Sequence, residues 1–276
     1  METLVRSDRE FYVRFWGVRK STPVCESEFF RYGGNTSCLE VRCGNQLFMF
    51  DAGTGCRYLG NSLDGSSGID ADVFFTGTNF EHVCGLPFFK PAFFPTNSFK
   101  FFAGHLLPDV GIQSTLQHMM REPLFPVPLQ VFESQFSYHD FFAGETLKPR
   151  EGVVVHTALM QDLYKGTAYR IEYDNRSICY LTNARLPGDG PKTNMYRLIE
   201  GADVVICDSI FVGRTEPNRL VWNDGINFCE RAGAKKLVIF PHPPEYDDNF
   251  LDGVARHASA FCPATMIASE GMVLHP

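Results

Sequence analysis

A chain of 276 residues with 44% hydrophobic side chains can bury a large core, and it fits one domain spanning residues 1–276. Its formal net charge of −7 disfavours general nucleic-acid binding and an anionic membrane surface as a partner. The first ten residues are polar and no apolar run approaches the length of a membrane span, so we expect a cytoplasmic protein without a signal peptide.

The cysteine pattern supports the same expectation. The cysteines are odd in number, form no Cys-x-x-Cys pair, and several stand in apolar runs. We therefore predict reduced thiols in the core of a cytoplasmic protein, and neither a disulfide framework nor a zinc cage. The nine positions are Cys25, Cys38, Cys43, Cys56, Cys84, Cys179, Cys207, Cys229 and Cys262.

The first elements in chain order are predicted to be strands. Phe11–Val18 alternates loosely, and Ser37–Cys43 and Gln46–Phe50 read as a hairpin closed by the two-residue turn Gly44–Asn45. Asp51–Gly55 then ends the third strand and opens a helix.

The middle of the chain continues with strands and one helix. The apolar run Val73–Phe75 predicts a buried strand that ends in a polar loop, where α/β proteins usually place their chemistry. Phe99–Ala103 and Leu129–Phe132 are shorter strand candidates, and Leu106–Arg121 between them has helical character.

The second half repeats the pattern, with Asp174–Asn175 as a hairpin turn. Helices are predicted around Trp222–Arg231, capped by Gly233, and over Asp247–Ala260. Periodicity alone indicates an α/β or α+β protein. The strand candidates are Val153–Leu159, Ala168–Tyr173, Ser177–Leu181, Val204–Cys207 and Leu237–Phe240.

Several motifs in order carry a family resemblance. Phe15–Pro23, Arg31–Cys38 and Asp51–Gly55 look like the opening of the bacterial phosphodiesterase-like branch of the metallo-β-lactamase superfamily. The resemblance implies an αββα sandwich, in which two sheets are covered by helices. Later matches follow in the expected order at Gly85–Phe89, Phe125–Val127, Tyr169–Glu172, Tyr180–Thr182, Ala202–Asp203 and Leu237–Asp248.

The family's metal-binding loop, Thr-His-x-His-x-Asp-His, aligns with residues 76–82 of this chain. Gly77 and Asn79 fill the first two histidine positions, and Glu81 replaces the aspartate. Of the loop's metal-ligand positions, only His82 keeps the family's residue. Glycine has no side chain and asparagine offers only a neutral amide, so the resemblance implies a degenerate metal site.

Other ligand positions of the family are also changed. A third-motif histidine aligns with Asp162, and the bridging aspartate aligns with Asn183, which cannot supply a bridging charge. The final pair reads Pro241–His242, and either residue could occupy the old ligand position. A further histidine aligns near Arg219. Without the aspartate bridge, a dinuclear centre is not expected.

A smaller site remains as an alternative. Glu81, His82 and His242 could form a two-histidine, one-carboxylate site for one divalent metal, Zn, Mn or Fe. Against this, His82 can cap the following helix or hydrogen-bond within the site, and His242 between prolines can mark a rigid turn. Asp51 can orient groups of the site or cap the next segment.

Two arginines offer a further way to supply positive charge at the former metal site. If Arg185 and Arg219 face the old metal site, guanidinium groups would supply the positive charge there, and arginine pairs well with phosphate. The competing interpretation is that both are solvated surface residues. The remaining histidines, at positions 105, 118, 139, 156, 257 and 275, show no ligand spacing.

These observations predict a degenerate metallo-β-lactamase-fold protein, without catalytic residues or a cofactor, that binds a small molecule such as a nucleotide, or a protein partner, in regulation or signalling. Exposed members of the Phe88–Phe102 aromatic cluster would suit a homodimer interface. The alternative is a mononuclear metal-dependent phosphodiesterase or other hydrolase. A third option is an interaction module whose old site is filled by side chains.

Overall fold

Two mixed β-sheets lie face to face, with helices on both outer surfaces. The computed structural model describes residues 10–63, 68–161, 165–182, 194–208 and 222–276. Within these ranges the first sheet has the order β14-β1-β2-β3-β4-β5-β6. Its strands are β1 (Phe11–Gly17), β2 (Cys38–Cys43), β3 (Gln46–Phe50), β4 (Asp70–Phe75), β5 (Ser98–Ala103), β6 (Gln135–Asp140) and β14 (Val273–Leu274).

The second sheet has the order β13-β12-β11-β10-β9-β8-β7 in the same ranges. Strands β3 to β6 of the first sheet run parallel, as do β10 to β13 of the second. The second sheet contains β7 (Thr146–Arg150), β8 (Val153–Gln161), β9 (Lys165–Tyr173), β10 (Arg176–Leu181), β11 (Val204–Cys207), β12 (Leu237–Ile239) and β13 (Thr265–Ile267).

Helices pack on the outer face of each sheet. Leu59, Ile112 and Leu116 belong to the apolar cluster outside the first sheet, and Leu198 and Leu251 to the cluster outside the second. This arrangement confirms the αββα sandwich. The helices are α1 (Gly55–Ser62), α2 (Phe80–Val83), α3 (Ile112–Met119), α4 (Asn194–Ile199), α5 (Trp222–Arg231) and α6 (Asp248–Phe261).

Aromatic rings fill the space between the sheets. Phe74 stacks on Phe50 and on Phe102, with ring centroids 5.3 and 4.6 Å apart. Tyr169 meets both Phe50 and Phe74 edge to face, and Tyr180 meets Phe50 in the same way. Such pairs add about 0.5–1.5 kcal/mol each beyond the burial of their area. The abundant phenylalanine therefore builds the central layer.

Local turn chemistry explains several confirmed predictions. Gly44 adopts a left-handed φ of 60° in the β2–β3 turn, and Asp174 and Asn175 adopt φ values of 50° and 58° between β9 and β10. Two successive left-handed residues match the twist of a hairpin. Gly233, at φ 67°, ends α5 by donating its N–H to Glu230 O at 3.0 Å.

Other predictions about elements were wrong or incomplete. Leu129–Phe132 is not a strand: Leu129–Val131 form a 3₁₀ turn closed by a 3.0 Å bond from Val131 N to Pro128 O. The strand of this region, β6, comes later. The prediction failed because a short, mostly apolar segment does not distinguish a strand from a turn. The predicted helix over 106–121 is confined to α3, which begins after Gly111. The sequence patterns also missed β7, α4, β13 and β14.

The nine cysteines are all free thiols, as predicted. Six are buried, Cys84 and Cys262 are half-buried, and Cys25 is exposed, so the core location holds for most of them. Burial raises the pKa of the Cys38 thiol well above its ordinary value. Among the helices of the described ranges, none has the length and apolar character needed to cross a membrane.

An ion-pair network joins the two sheets. Arg150, from β7, donates Nε to Asp72 Oδ2 at 2.9 Å and Nη2 to Asp72 Oδ1 at 2.8 Å. Its Nη1 also reaches Asp70 Oδ2 at 2.7 Å. Asp72 is fully buried on β4. The network therefore fastens one edge of the second sheet to the middle of the first.

Replacing Arg150 should destabilise the fold. In Arg150→Met, the buried carboxylate of Asp72 loses its bidentate partner, and we expect the free energy of unfolding to fall by about 2–4 kcal/mol. Urea unfolding followed by circular dichroism measures the change. The matched control is Lys148→Met, an exposed position on the same strand, which should stay within about 0.5 kcal/mol of the wild type. Equal stability of both variants would show that the network contributes nothing.

Candidate functional site

The buried carboxylate of Asp51 is the centre of the contacts at the ends of β3 and β4. Its Oδ1 accepts the backbone N–H of Thr76 at 2.8 Å. Its Oδ2 accepts the hydroxyls of Thr76, at 2.7 Å, and of Tyr180, at 2.9 Å. Asp51 is fully buried and has a left-handed φ of 57°. Of the two predicted roles, Asp51 therefore orients groups of the site, while Thr54 stands at the N-cap of α1.

His82 lies on α2 with its side chain buried against Asp51. The ring Nδ1 is 3.1 Å from Asp51 Oδ2, and Nε2 is 3.7 Å from Glu81 Oε1. Burial alone would lower the pKa of His82, but the charge and hydrogen bond of Asp51, with the charge of Glu81, raise it above its ordinary value. The structure thus places the His82 ring within ion-pair distance of Asp51, inside the site.

Threonine hydroxyls extend the network to the second sheet. Thr182, which follows β10, donates its hydroxyl to Thr76 Oγ1 at 2.7 Å. Thr167 of β9 donates its backbone N–H to Thr76 O at 2.8 Å. The loop after β4 is therefore held by contacts from both sheets.

The two lost histidine positions offer no nitrogen ligand. Gly77 is buried, and a Cβ built on it would lie 3.5 Å from His82 Cδ2 and 3.9 Å from His82 Nε2. Those are ordinary contacts, so the backbone at position 77 would accept a Cβ. Asn79 is half-buried at the N-cap of α2, where its side chain makes no capping hydrogen bond.

His242 is buried and bonded elsewhere. Its Nε2 lies 2.7 Å from Ala268 O, which can only accept, so Nε2 carries the proton. The ring stands edge-on to Tyr32, and burial lowers the pKa of His242 to about 4. Pro241, joined by a cis peptide bond, has no donor to offer. His242 therefore serves as a packed, hydrogen-bonded residue next to the Arg19 strand bridge.

His105 reaches the site although its sequence position gave no sign of it. It follows β5, is buried, and its Nε2 is 3.4 Å from Thr78 Oγ1. Burial lowers the pKa of His105 to about 4, with Asp51 and His82 close enough to contribute in opposite directions. Because β4 and β5 are parallel, the residues after both strands meet at one edge of the sheet. The parallel pairing of β4 and β5 is the feature from which His105 could have been predicted as a site residue.

Lys20 and Asp208 form an ion pair at the same edge. Lys20 Nζ is 2.5 Å from Asp208 Oδ2, and Asp208 directly follows β11. The charge of Lys20 is close enough to His82 to oppose protonation of its ring. Neither residue was predicted from sequence. The site thus contains an internal cation that was not part of the family pattern.

Four predicted residues lie outside the described residues. They are Asp162, Asn183, Arg185 and Arg219.

The described residues do not fit a metal centre of the family's kind. In residues 10–63, 68–161, 165–182, 194–208 and 222–276, no group of three or more His, Cys, Asp or Glu side chains could hold a metal ion. Glu81 and His82 adjoin each other, but His242 is engaged by Ala268. The predicted trio of Glu81, His82 and His242 is therefore not brought together.

Comparison with known proteins identifies the fold of this chain. No protein-family model matches the sequence, and none of the curated proteins matches it. Among solved structures, the metallo-β-lactamase fold protein YhfI from Bacillus subtilis is 14% identical with a TM-score of 0.67, covering 96% of this chain and 98% of that one. A diphosphatase from the PhnP family is 14% identical with a TM-score of 0.69, covering 97% and 98%.

A third solved structure is Zn²⁺-bound PqqB from Methylobacterium extorquens, 14% identical, TM-score 0.67, covering 96% of this chain and 100% of that one. These likenesses extend over nearly the whole described architecture. The chain has the metallo-β-lactamase fold, as the resemblance implied. At this identity the likeness defines the fold, and the chemistry has to be argued from the site.

The Asp51–His82 contact predicts an elevated histidine pKa. The imidazole of His82 should titrate above 6.5. In Glu81→Gln and Asp51→Asn its pKa should fall, because each change removes a negative charge that favours the imidazolium. Proton–carbon NMR of the histidine rings measures both, with circular dichroism to verify folding. An unchanged His82 titration in both variants would refute the contact.

The buried histidines predict a loss of stability in acid. His105 and His242 have folded-state pKa values of about 4, below the ordinary 6.5, so the unfolded chain binds protons first. Their contribution to stability is present above pH 6.5 and is lost as the pH falls towards 4. His82 has the opposite effect on stability, because its pKa is raised in the folded state. Its contribution is present at low pH and is lost as the pH rises through that raised pKa.

The variant His242→Gln tests this dependence. Glutamine can still donate to Ala268 O but cannot take up a proton, so we expect a smaller loss of unfolding free energy between pH 6.5 and about 4 than in the wild type. Urea titrations across that range give the slope. The exposed His257→Gln should keep the wild-type slope, and the same slope in His242→Gln would contradict the assignment.

Proposed function

We propose that this chain is a degenerate metallo-β-lactamase-fold protein that lacks the dinuclear metal site and acts by binding, in regulation, without hydrolysis. One observation carries the proposal. His82, the single histidine retained in the loop after β4, has its Nδ1 3.1 Å from Asp51 Oδ2, while positions 77 and 79 offer a glycine and an amide.

The charges of the site support a metal-free state. Asp51 is satisfied by three hydrogen bonds from Thr76 and Tyr180 as well as by His82. Asp208 is paired with Lys20. A buried carboxylate needs such partners when no metal supplies positive charge. A metal ion would have to compete with donors that the chain already provides.

Groups at the rim of the site support ligand binding. Thr78, Asn79 and Glu81 are half-buried, and they offer a hydroxyl, an amide and a carboxylate for hydrogen bonds. We propose a polar small molecule, such as a nucleotide, as the ligand in a cytoplasmic bacterial signalling protein. Exposed Phe80 and Phe88 next to the site suit a protein partner or a second copy of the chain.

A mononuclear metal hydrolase is the second candidate. In support, the carboxylate of Asp51 anchors Nδ1 of His82 and leaves Nε2 beside Glu81, the arrangement that orients metal-binding histidines. Two proteins of similar structure are a diphosphatase and a Zn²⁺-bound protein. This candidate requires one divalent Zn, Mn or Fe ion, and His242 would have to leave Ala268 O to complete the trio.

Turnover of bis(4-nitrophenyl) phosphate tests the main proposal. We expect the wild type and Gly77→His/Asn79→His to hydrolyse it no faster than the buffer with zinc or manganese, because Asn183 and Pro241 still lack the family's ligands. A Cβ at position 77 would make only ordinary contacts, and circular dichroism verifies that the variant is folded. Gly77→Ala/Asn79→Ala is the matched control. Robust metal-dependent turnover by the histidine variant alone would defeat the proposal.

The same assay distinguishes the mononuclear metal hydrolase from the main proposal. A mononuclear hydrolase would show wild-type turnover that EDTA abolishes and that His82→Ala removes. Activity that ignores EDTA, or that survives in His82→Ala, excludes that candidate.

A further inference from the structure

A polar groove lies at the edge of the second sheet opposite the Asp51 site. It has a volume of about 470 Å³ and is lined by the β9–β10 turn and by residues at the starts of β10 and β11. Ser177 and Asp203 stand at those starts, whereas Thr182 and Asp208 follow the other ends of the same two strands. Because β10 and β11 run parallel, the groove and the Asp51 site occupy opposite edges of the second sheet.

Arg170 is held rigidly in the groove. Its Nε donates to Glu172 Oε1 at 2.7 Å, and its Nη1 donates to the backbone oxygens of Leu198 and Glu200 at 3.0 and 2.7 Å. A guanidinium has five N–H donors, and the two on Nη2 take part in none of these bonds. The guanidinium group of Arg170 is thus held in one orientation, and the N–H groups on its Nη2 are not used in these three bonds.

Lys235 adds exposed donors on the other side. Its side chain is 69% exposed, and Nζ donates to Asp203 Oδ1 at 2.6 Å. An ammonium group has three N–H donors, so two remain. Asp203 is fully engaged, since its Oδ2 accepts the N–H of Ser177 at 2.8 Å and its hydroxyl at 3.3 Å. Burial raises the pKa of Asp203, but Lys235 and Ser177 hold it below its ordinary value.

The acidic side chains of the groove therefore each have a cationic partner, while Arg170 and Lys235 have N–H groups beyond those used in the bonds above. Glu172 accepts from Arg170 and lies 3.5 Å from His156, and Asp174 lies 3.6 Å from Arg176. A guanidinium and an ammonium group that line one groove and both keep N–H donors can bind the oxygens of a tetrahedral oxyanion.

We propose that this groove is a second binding site, specific for the phosphate group of a small phosphorylated molecule. Arg170 Nη2 and Lys235 Nζ donate to the phosphate oxygens, and Arg176 adds positive charge at the rim. The volume admits a sugar phosphate. This site is independent of the proposed function, because it shares no residue with the Asp51 site.

Isothermal titration calorimetry with ribose 5-phosphate tests the proposal, with ribose as the uncharged probe. We expect ribose 5-phosphate to bind with a Kd of about 1 mM or tighter, weaker at high salt, and ribose not to bind. Lys235→Met should weaken binding at least about fivefold. The matched control is Lys236→Met, which removes the adjacent lysine, whose Nζ donates to His275 O and does not line the groove.

Each contrary outcome overturns the proposal. The proposal is overturned if ribose 5-phosphate gives no heat of binding or if ribose binds equally well. It is also overturned if the affinity for ribose 5-phosphate is unchanged in Lys235→Met. Thermal unfolding confirms that both lysine variants are folded. Lys235 takes no part in the Asp51 site, so failure of this test is distinct from failure of the proposed function.

Discussion

The buried carboxylate of Asp51 is the constraint on which the strand-end loops depend. A charge removed from water is tolerated only when hydrogen bonds and opposite charge replace its hydration. Thr76 and Tyr180 supply those bonds from β4 and β10, and His82 supplies the nearby imidazole. The carboxylate thereby joins the two sheets at one edge and fixes the loop that carries Gly77 and Asn79. Its left-handed φ of 57° is a further cost that these contacts offset.

The same edge contains a second compensated carboxylate, Asp208, paired with Lys20. In this chain, a lysine and hydrogen-bond donors offset both carboxylates. His242, which the family alignment leaves as a remaining histidine, has its Nε2 proton committed to Ala268. These contacts give the proposed binding role a physical basis, because Asp51, Asp208 and His242 each have another partner.

Much of the fold could be predicted from sequence. The hairpin turns at Gly44 and Asp174–Asn175 and the glycine cap of α5 depend on local backbone preferences that a few residues determine. The αββα arrangement required the family resemblance, because strand periodicity does not specify how sheets stack. The apolar run at Leu129 was misjudged as a strand, since a turn after Pro128 uses the same residue types.

The site was less predictable, because its contacts join residues far apart in the chain. Asp51 and His82 were located through a loop motif, whereas His105 and the Lys20–Asp208 pair depend on which strands are neighbours. Histidine spacing along the chain contains no such information. The engagement of His242 by a backbone carbonyl likewise has no counterpart in side-chain patterns.

The most direct measurement is elemental analysis of protein purified without a histidine tag after expression with added zinc, manganese and iron. The account predicts substoichiometric metal in the wild type, unchanged in His82→Ala. About one metal ion per chain, lost in His82→Ala, would contradict the metal-free site and favour the mononuclear hydrolase.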